Sequence, residues 1–338
     1  MRKAGKTLQF IDDGTPGITR RKTRGGKWAY YSAEGARITD RDEIDRLNKI
    51  GLPPAYENCW FCANPDAHLL AYGYDAKGRK QYRYHPDFRS EREAYKFELC
   101  PQFGSSLPEL RKRVADDLTG RGLTRERAIA SIVTLLDTGA IRVGNECYAK
   151  RNRSFGATTL RTRHADITGK TLKLRFKGKS GKLHEIDSDD AALVRCVRQM
   201  QDLPGQHLFQ YLDDEGTPTP VHSHDVNDYL HETMGDEFTA KNFRTWAASV
   251  IAFGRLCEDP LMTLKALMAE VSAQLGNTPA IARKSYVHPY VIAAVKGGAD
   301  ERLMLPERLP RRTRWLSREE RGLLVFLEGT GAKLPLAA

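Results

Sequence analysis

The spacing of apolar residues changes character about a quarter of the way along the chain. Up to about residue 90, short alternating segments are broken by Gly, Pro and Asp, the period-two pattern of half-buried strands. "GKWAYYSAEGARIT" predicts two strands around a Glu-Gly turn, and "HLLAYGYDAKGRKQYRYHP" predicts a hairpin turning near Asp75–Gly78. "DRDEIDRLNKIG" adds a helix. From about residue 91 the period becomes helical. Ile129, Ile132, Val133 and Leu136 recur at i, i+3, i+4 and i+7 behind Thr124 as N-cap, and Leu193, Cys196, Val197 and Met200 do the same behind Asp189-Asp190. Leu264, Met268, Val271 and Leu275 stripe a helix predicted to open at Asp259-Pro260 and to stop at Gly276. Thr239 caps "AKNFRTWAASVIAFG", Thr278-Pro279 opens a short helix, and Ser317 with Glu320 forms a capping box before the last one. One β interruption stands out, "TLKLRFKGKSGKLHEID", two strands around Lys177–Gly181. The expected fold is α+β: a small β-rich domain over residues 1–90, then a larger, mainly α-helical domain over 91–338 with a β-hairpin.

Composition narrows the partner. The 338 residues are 40% hydrophobic and carry a net charge of +11, with pI about 9.3. Such an excess favours a polyanion, nucleic acid before anionic membrane. No apolar run spans a bilayer and the N-terminus has no secretory apolar region, so an intracellular protein is expected. The six cysteines form no dense framework and read as reduced thiols. Cys59 and Cys62 make one C-x-x-C without a second pair, so packing is expected there rather than zinc or redox use.

Several residues have two readings. Arg142 is flanked by Ile141 and Val143, and a buried arginine needs an anion. If that stretch is helical, Glu146 at i+4 supplies one. Lys179 lies in a Gly-bounded turn, where a solvated lysine is the ordinary case. Arg244 sits in the first turns of a helix whose Phe243, Ala247 and Val250 face the core, and Tyr286 ends a short basic helix. Taken together they match one reaction. Displacement at a phosphodiester builds charge on the non-bridging oxygens, which guanidinium forks stabilise. A tyrosine among cations is a feasible nucleophile, and a lysine on a mobile turn can protonate the leaving 5′-oxygen. The scattered carboxylates suggest no Mg²⁺ site.

The order Arg142, Lys179, "KNFR" at 241–244, "LGNT" at 275–278 and "SYVHP" at 285–289 resembles type IB DNA topoisomerases of the compact bacterial and poxvirus-like kind. "GRKQYRYHP", "IRVGNECY", "FGATTLRTRH" and "FKGKSGK" look like motifs of the same family, and the match runs from about residue 20 to 325. The resemblance implies relaxation of positive and negative supercoils through a 3′-phosphotyrosine, strand rotation and religation, with no cofactor, ATP or required metal. It casts Tyr286 as nucleophile, Arg142 and Arg244 as phosphate clamp, and Lys179 as general acid. Asn277 stands where many relatives have a histidine bonding a non-bridging oxygen; an amide donates that bond without a charge. The β-rich domain would be a cap closing on double-stranded DNA, with Gln81, Tyr82 and Tyr84 in the groove and Arg79 and Lys80 on phosphates. Asn145, Tyr148 and Lys241 are further expected DNA contacts. The resemblance also implies a monomer without an obligate protein partner, cytoplasmic and nucleoid-associated. The nearest rival is a tyrosine recombinase or integrase, which shares the Arg/Lys/Arg/Tyr logic but shows His-x-x-Arg where this chain has Lys241-Asn242-Phe243-Arg244 and lacks the "GRKQYRYHP" cap. A DNA-binding protein with an idle tyrosine is a third reading, distinguished by whether it attaches covalently to DNA.

Overall fold

The computed structural model describes residues 8–297 and 305–330, which form two compact units meeting in sequence at Tyr95 and Lys96. The first is built on a five-stranded antiparallel sheet of β1 (Ile18–Lys22), β2 (Trp28–Tyr31), β3 (Glu57–Phe61), β4 (Leu69–Tyr74) and β5 (Lys80–Tyr84), in the order β2-β1-β3-β4-β5. Helix α1 (Arg41–Lys49) starts at Asp40, whose side chain accepts the Asp42 N–H, and buries Leu47. Ile18, Tyr30, Leu47, Leu52, Cys59, Phe61 and Ala71 make the core on one side, and Trp60, Cys62, Ala67 and Leu69 make a second cluster. Cys59 and Cys62 therefore pack in different clusters. The hairpin at Asp75–Gly78 forms as expected: Gly78 N–H donates to Asp75 O at 2.8 Å. The other expected hairpin forms in part: the Glu34-Gly35 turn closes, with Ser32 N–H on Ala36 O at 2.8 Å and Ile38 N–H on Tyr30 O at 2.9 Å, but its second side is a single bridge at Arg37 and no strand, and β2 pairs along its length with β1, around a turn at Thr23–Gly26.

The helices after β5 are α2 (Pro86–Glu98), α3 (Cys100–Thr119), α4 (Arg125–Gly139), α5 (Glu146–Asn152), α6 (Ala191–Gln201), α7 (Ser223–Met234), α8 (Ala240–Glu258), α9 (Leu264–Leu275), α10 (Pro279–Ser285), α11 (Pro289–Lys296) and α12 (Arg318–Thr330). The hairpin of β7 (Thr171–Lys177) and β8 (Leu183–Ser188) gains a third strand, β6 (Ala165–Thr168). The short strands β9 (Gln210–Leu212) and β10 (Pro218–Pro220) pair with each other. The architecture is the expected α+β one. Thr124 caps α4, accepting from Arg127 N–H at 3.2 Å, and Ser317 and Glu320 exchange bonds of 3.1 and 2.8 Å at the start of α12. One helix start moves: Asp259 is the C-cap of α8, and α9 begins behind Thr263.

The core of this unit fixes the start of α8, where Arg244 lies. Phe103 packs edge-on against Phe243, ring centroids 5.1 Å apart, and against Phe238 at 5.6 Å. Gly104 lets Trp246 lie on α3, since a Cβ there would fall 2.2 Å from the indole. Truncating a buried aromatic of this kind costs about 3–5 kcal/mol. Among the described residues no helix is long and apolar enough to cross a membrane.

Candidate active site

Tyr286 is held by the main chain on both sides. Gly276 ends α9 in the left-handed region (φ +62°), and Thr278 then starts α10, its hydroxyl accepting from Ile281 N–H at 3.3 Å. Tyr286 is the C-cap of α10, with its N–H on Ala282 O at 3.0 Å. Two residues on, His288 is 3% exposed and anchors the segment. Its Nδ1 lies 3.2 Å from Tyr290 N–H and so accepts, which leaves Nε2 to donate to Phe97 O at 3.2 Å. Burial pushes its pKa down to about 4, so this neutral ring is a structural anchor. Ser249 of α8 ties the same stretch, accepting His288 N–H at 3.0 Å.

Arg244 is 2% exposed, and its guanidinium carbon stands 4.9 Å from the centre of the Tyr286 ring. It donates to Ala140 O at the end of α4 and to Leu275 O, the last residue of α9, at 3.0 Å. The negative ends of two helix dipoles thus hold the cation. Its Nε is buried and has no hydrogen-bond partner among the described residues. Half-buried Arg111 makes the contrast: Asp137 and Glu320 each meet it at 2.7 Å, a closed structural cluster. Among the described residues neither Arg142 nor Arg244 has such a carboxylate. Arg142 is not helical. It follows Ala140, which ends α4 at φ +47°, and its carbonyl accepts Ala157 N–H at 2.9 Å. Gly156 permits this approach, because a Cβ there would lie 2.5 Å from Arg142 O. The expected i+4 pairing with Glu146 fails with the helix: Glu146 pairs with Arg161 at 2.5 Å.

The result is a phenol facing two cations. Burial alone would raise the Tyr286 pKa, but Arg244 and then Arg142 outweigh it through charge and hydrogen bonding and hold it below the usual phenol range. Burial, and then Arg142, in turn lowers the pKa of Arg244. Two close guanidiniums without an anion repel each other, and a phosphate between them relieves that repulsion. Asn277, two residues after the Leu275 carbonyl that Arg244 holds, is 6% exposed, and neither its Nδ2 nor its Oδ1 has a partner among the described residues. A buried amide with no partner is costly unless a ligand completes it.

Lys179 stands exposed at the tip of the β7–β8 hairpin, next to Ser180 at φ +64°. The same turn is tied to Asn277 at its closing residue, where Lys182 Nζ donates to Asn277 O at 2.7 Å. His184 supplies a second tie. It stacks on Phe176 at 5.3 Å, and a Cβ on Gly276 would fall 2.7 Å from its ring. Burial, then Arg244, Arg142 and Lys182, holds His184 below its usual pKa. Lys182 and His184 were not singled out in the sequence; the one available signal was that His184 falls on the Phe176 side of the hairpin.

Of the expected DNA contacts, Lys80, Gln81, Tyr82 and Tyr84 lie on β5 with Arg79 just before it, in the first unit. Tyr82 and Tyr84 are each 38% exposed and stack at 5.8 Å. In the second unit Asn145 is the N-cap of α5, Tyr148 is exposed on that helix, and Lys241 is exposed in the first turn of α8. Asn145 Oδ1 accepts Cys147 N–H at 3.0 Å, which leaves its amide as the donor.

Residues 85–292 match the family model described as eukaryotic DNA topoisomerase I, catalytic core, and residues 27–75 match that of the bacterial DNA topoisomerase IB N-terminal domain. The chain belongs to the type IB DNA topoisomerase family. DNA topoisomerase 1B of Acanthamoeba polyphaga mimivirus is 33% identical over 291 residues, covering 82% of this chain and 86% of the relative. DNA topoisomerase 1B of vaccinia virus (strain Copenhagen) is 23% identical over 271 residues, 76% of this chain and 83% of the relative. Among solved structures, the XerH site-specific recombinase in its post-cleavage complex aligns at TM-score 0.35 and 15% identity, over 54% of this chain and 48% of its own. This topoisomerase is thus an isomerase whose substrate is DNA.

Proposed function

We propose that Tyr286 attacks a DNA phosphodiester to form a 3′-phosphotyrosine, that Arg142, Arg244 and Asn277 hold the non-bridging oxygens, and that Lys179 protonates the departing 5′-oxygen. The observation that carries this reading is the unfilled hydrogen-bonding capacity of Arg244 Nε and the Asn277 amide, buried beside a phenol that two cations favour as phenolate. A phosphate supplies acceptors for both. When the 5′-end is released, the phosphotyrosyl bond keeps the energy needed for religation, so swivelling needs no nucleotide. The enzyme acts as a monomer on chromosomal duplex, contacting it also through the β5 face. The deciding experiment is relaxation of positively and negatively supercoiled plasmid in EDTA without ATP. Topoisomers converging on the relaxed state support the reading. Unchanged supercoiling, or recombinant joints between two duplexes in its place, refutes it.

The exposed tip position of Lys179 gives a separate prediction. Lys179→Ala should lower cleavage of ordinary DNA by about 10²- to 10⁴-fold, the range of general acid catalysis. A substrate with sulfur in place of the bridging 5′-oxygen should restore the rate, because a thiolate leaves without a proton. An equal defect on both substrates would make Lys179 a phosphate contact.

A further inference from the structure

Four consecutive side chains on and before β5 already have carboxylate partners. Asp75 takes Arg79 at 2.6 Å and the Gln81 amide at 3.2 Å. Asp13, 67 residues from Lys80 in sequence, takes Lys80 Nζ at 2.5 Å and the Tyr82 hydroxyl at 2.8 Å through one oxygen, Oδ2. These are the groups expected to meet DNA, and an anionic oxygen shared by an ammonium and a phenol is what a phosphate would offer.

The placement of Asp13 is built into the fold. It rides on a strap fixed at both ends. Gln9 pairs with Ala67, and His68 N–H donates to Gln9 O at 2.9 Å. Beyond the turn, Trp60 Nε1 donates to Thr15 O at 2.9 Å. Between these ties Asp12 closes the turn, its side chain accepting Gly14 N–H at 2.7 Å and its carbonyl accepting Thr15 N–H at 3.1 Å. Asp13 is therefore free of any turn-forming duty and projects onto β5. Asp75 differs: its Oδ1 accepts Lys77 and Arg79 N–H at 2.9 and 3.0 Å and shapes the hairpin.

We propose that Asp13 is a phosphate-mimicking latch, which occupies Lys80 and Tyr82 in the free enzyme and must be displaced by duplex. The latch rests on the reading of β5 as a DNA-contacting strand. It discounts contacts that offer only a phosphate, since those merely replace a carboxylate already present. DNA that also engages the exposed Tyr84 gains more than it displaces. The pair is partly exposed, 26% for Lys80 and 34% for Asp13, so it exchanges readily. Its strength corresponds to roughly a two- to five-fold factor in an equilibrium.

The test is equilibrium binding of a fluorescent generic duplex by the full chain in a Tyr286→Phe background. Asp13→Asn should tighten binding roughly three- to five-fold. Glu34→Gln removes the same charge from an exposed site whose carboxylate accepts from Ser32 Oγ at 2.7 Å, and should change binding less than about two-fold through screened long-range charge. Lys80→Ala should cost more in the Asp13→Asn background than in its absence, because the latch no longer masks the ammonium. Asp13→Asn matching Glu34→Gln overturns the latch. Weaker binding, with Lys80→Ala costing less, overturns it too and makes Asp13 an orienting partner. If Lys80→Ala and Tyr82→Phe change nothing in either background, β5 does not touch DNA and the latch falls with that reading, while relaxation and adduct formation are unaffected.

Discussion

Tyr286→Phe is expected to bind duplex DNA almost as the parent does and to form no denaturant-resistant adduct. The substitution removes one oxygen. The ring keeps its place over Arg244, and the anchors that position it, Ser249 and His288, act through main chain or their own side chains. Relaxation should fall to background, because no other tyrosine shares the Arg142–Arg244 cluster among the described residues. The measurement is denaturing electrophoresis of labelled DNA with and without protein, beside an anisotropy titration. An adduct persisting in Tyr286→Phe would assign the nucleophile elsewhere.

Arg244 gives the second large effect, and it separates charge from shape. Loss of a preorganised transition-state donor costs about 10²- to 10³-fold in cleavage, or about 3–4 kcal/mol. Arg244→Ala should show at least this. It should also move the rising limb of the cleavage rate to higher pH. Attack needs the phenolate, and the guanidinium is the chief group holding the Tyr286 pKa down against burial. Without it the phenol ionises later, and the same rate is reached at a more alkaline pH. Arg244→Lys should keep most of the pH position and still cleave slowly, since an ammonium cannot reproduce the planar fork. Arg244→Ala also orphans the carbonyls of Ala140 and Leu275, at about 1–3 kcal/mol for each buried acceptor, so melting curves must accompany the rates. Arg142→Ala breaks no such side-chain bond to the main chain among the described residues and tests the clamp without that penalty. An unshifted pH limb in Arg244→Ala would show that the arginine does not govern ionisation of the phenol.

The sequence alone determined the features made by neighbours. The Thr124 cap, the Gly276 stop, the Thr278-Pro279 start, the Ser317/Glu320 box and the Asp75–Gly78 turn each join residues at most four apart, so the same few side chains carry both signal and bond. Periodicity likewise separated a β-rich first part from a helical second one. Tertiary structure decided what returns from far along the chain. Glu146 went to Arg161 instead of Arg142 because residues 142–143 pair with 157–158 and leave no helix to align them. Strand β6 is four residues of middling burial, visible only beside β7. The carbonyls that hold Arg244 lie 104 and 31 residues away, and His184 meets the Gly276 turn across the hairpin. No local pattern encodes those partners, because main-chain carbonyls are the same at every position and only packing selects which ones face a buried cation. Residue types thus named the chemistry of this topoisomerase, while the lack of a carboxylate partner for Arg142 and Arg244 among the described residues is a property of the fold.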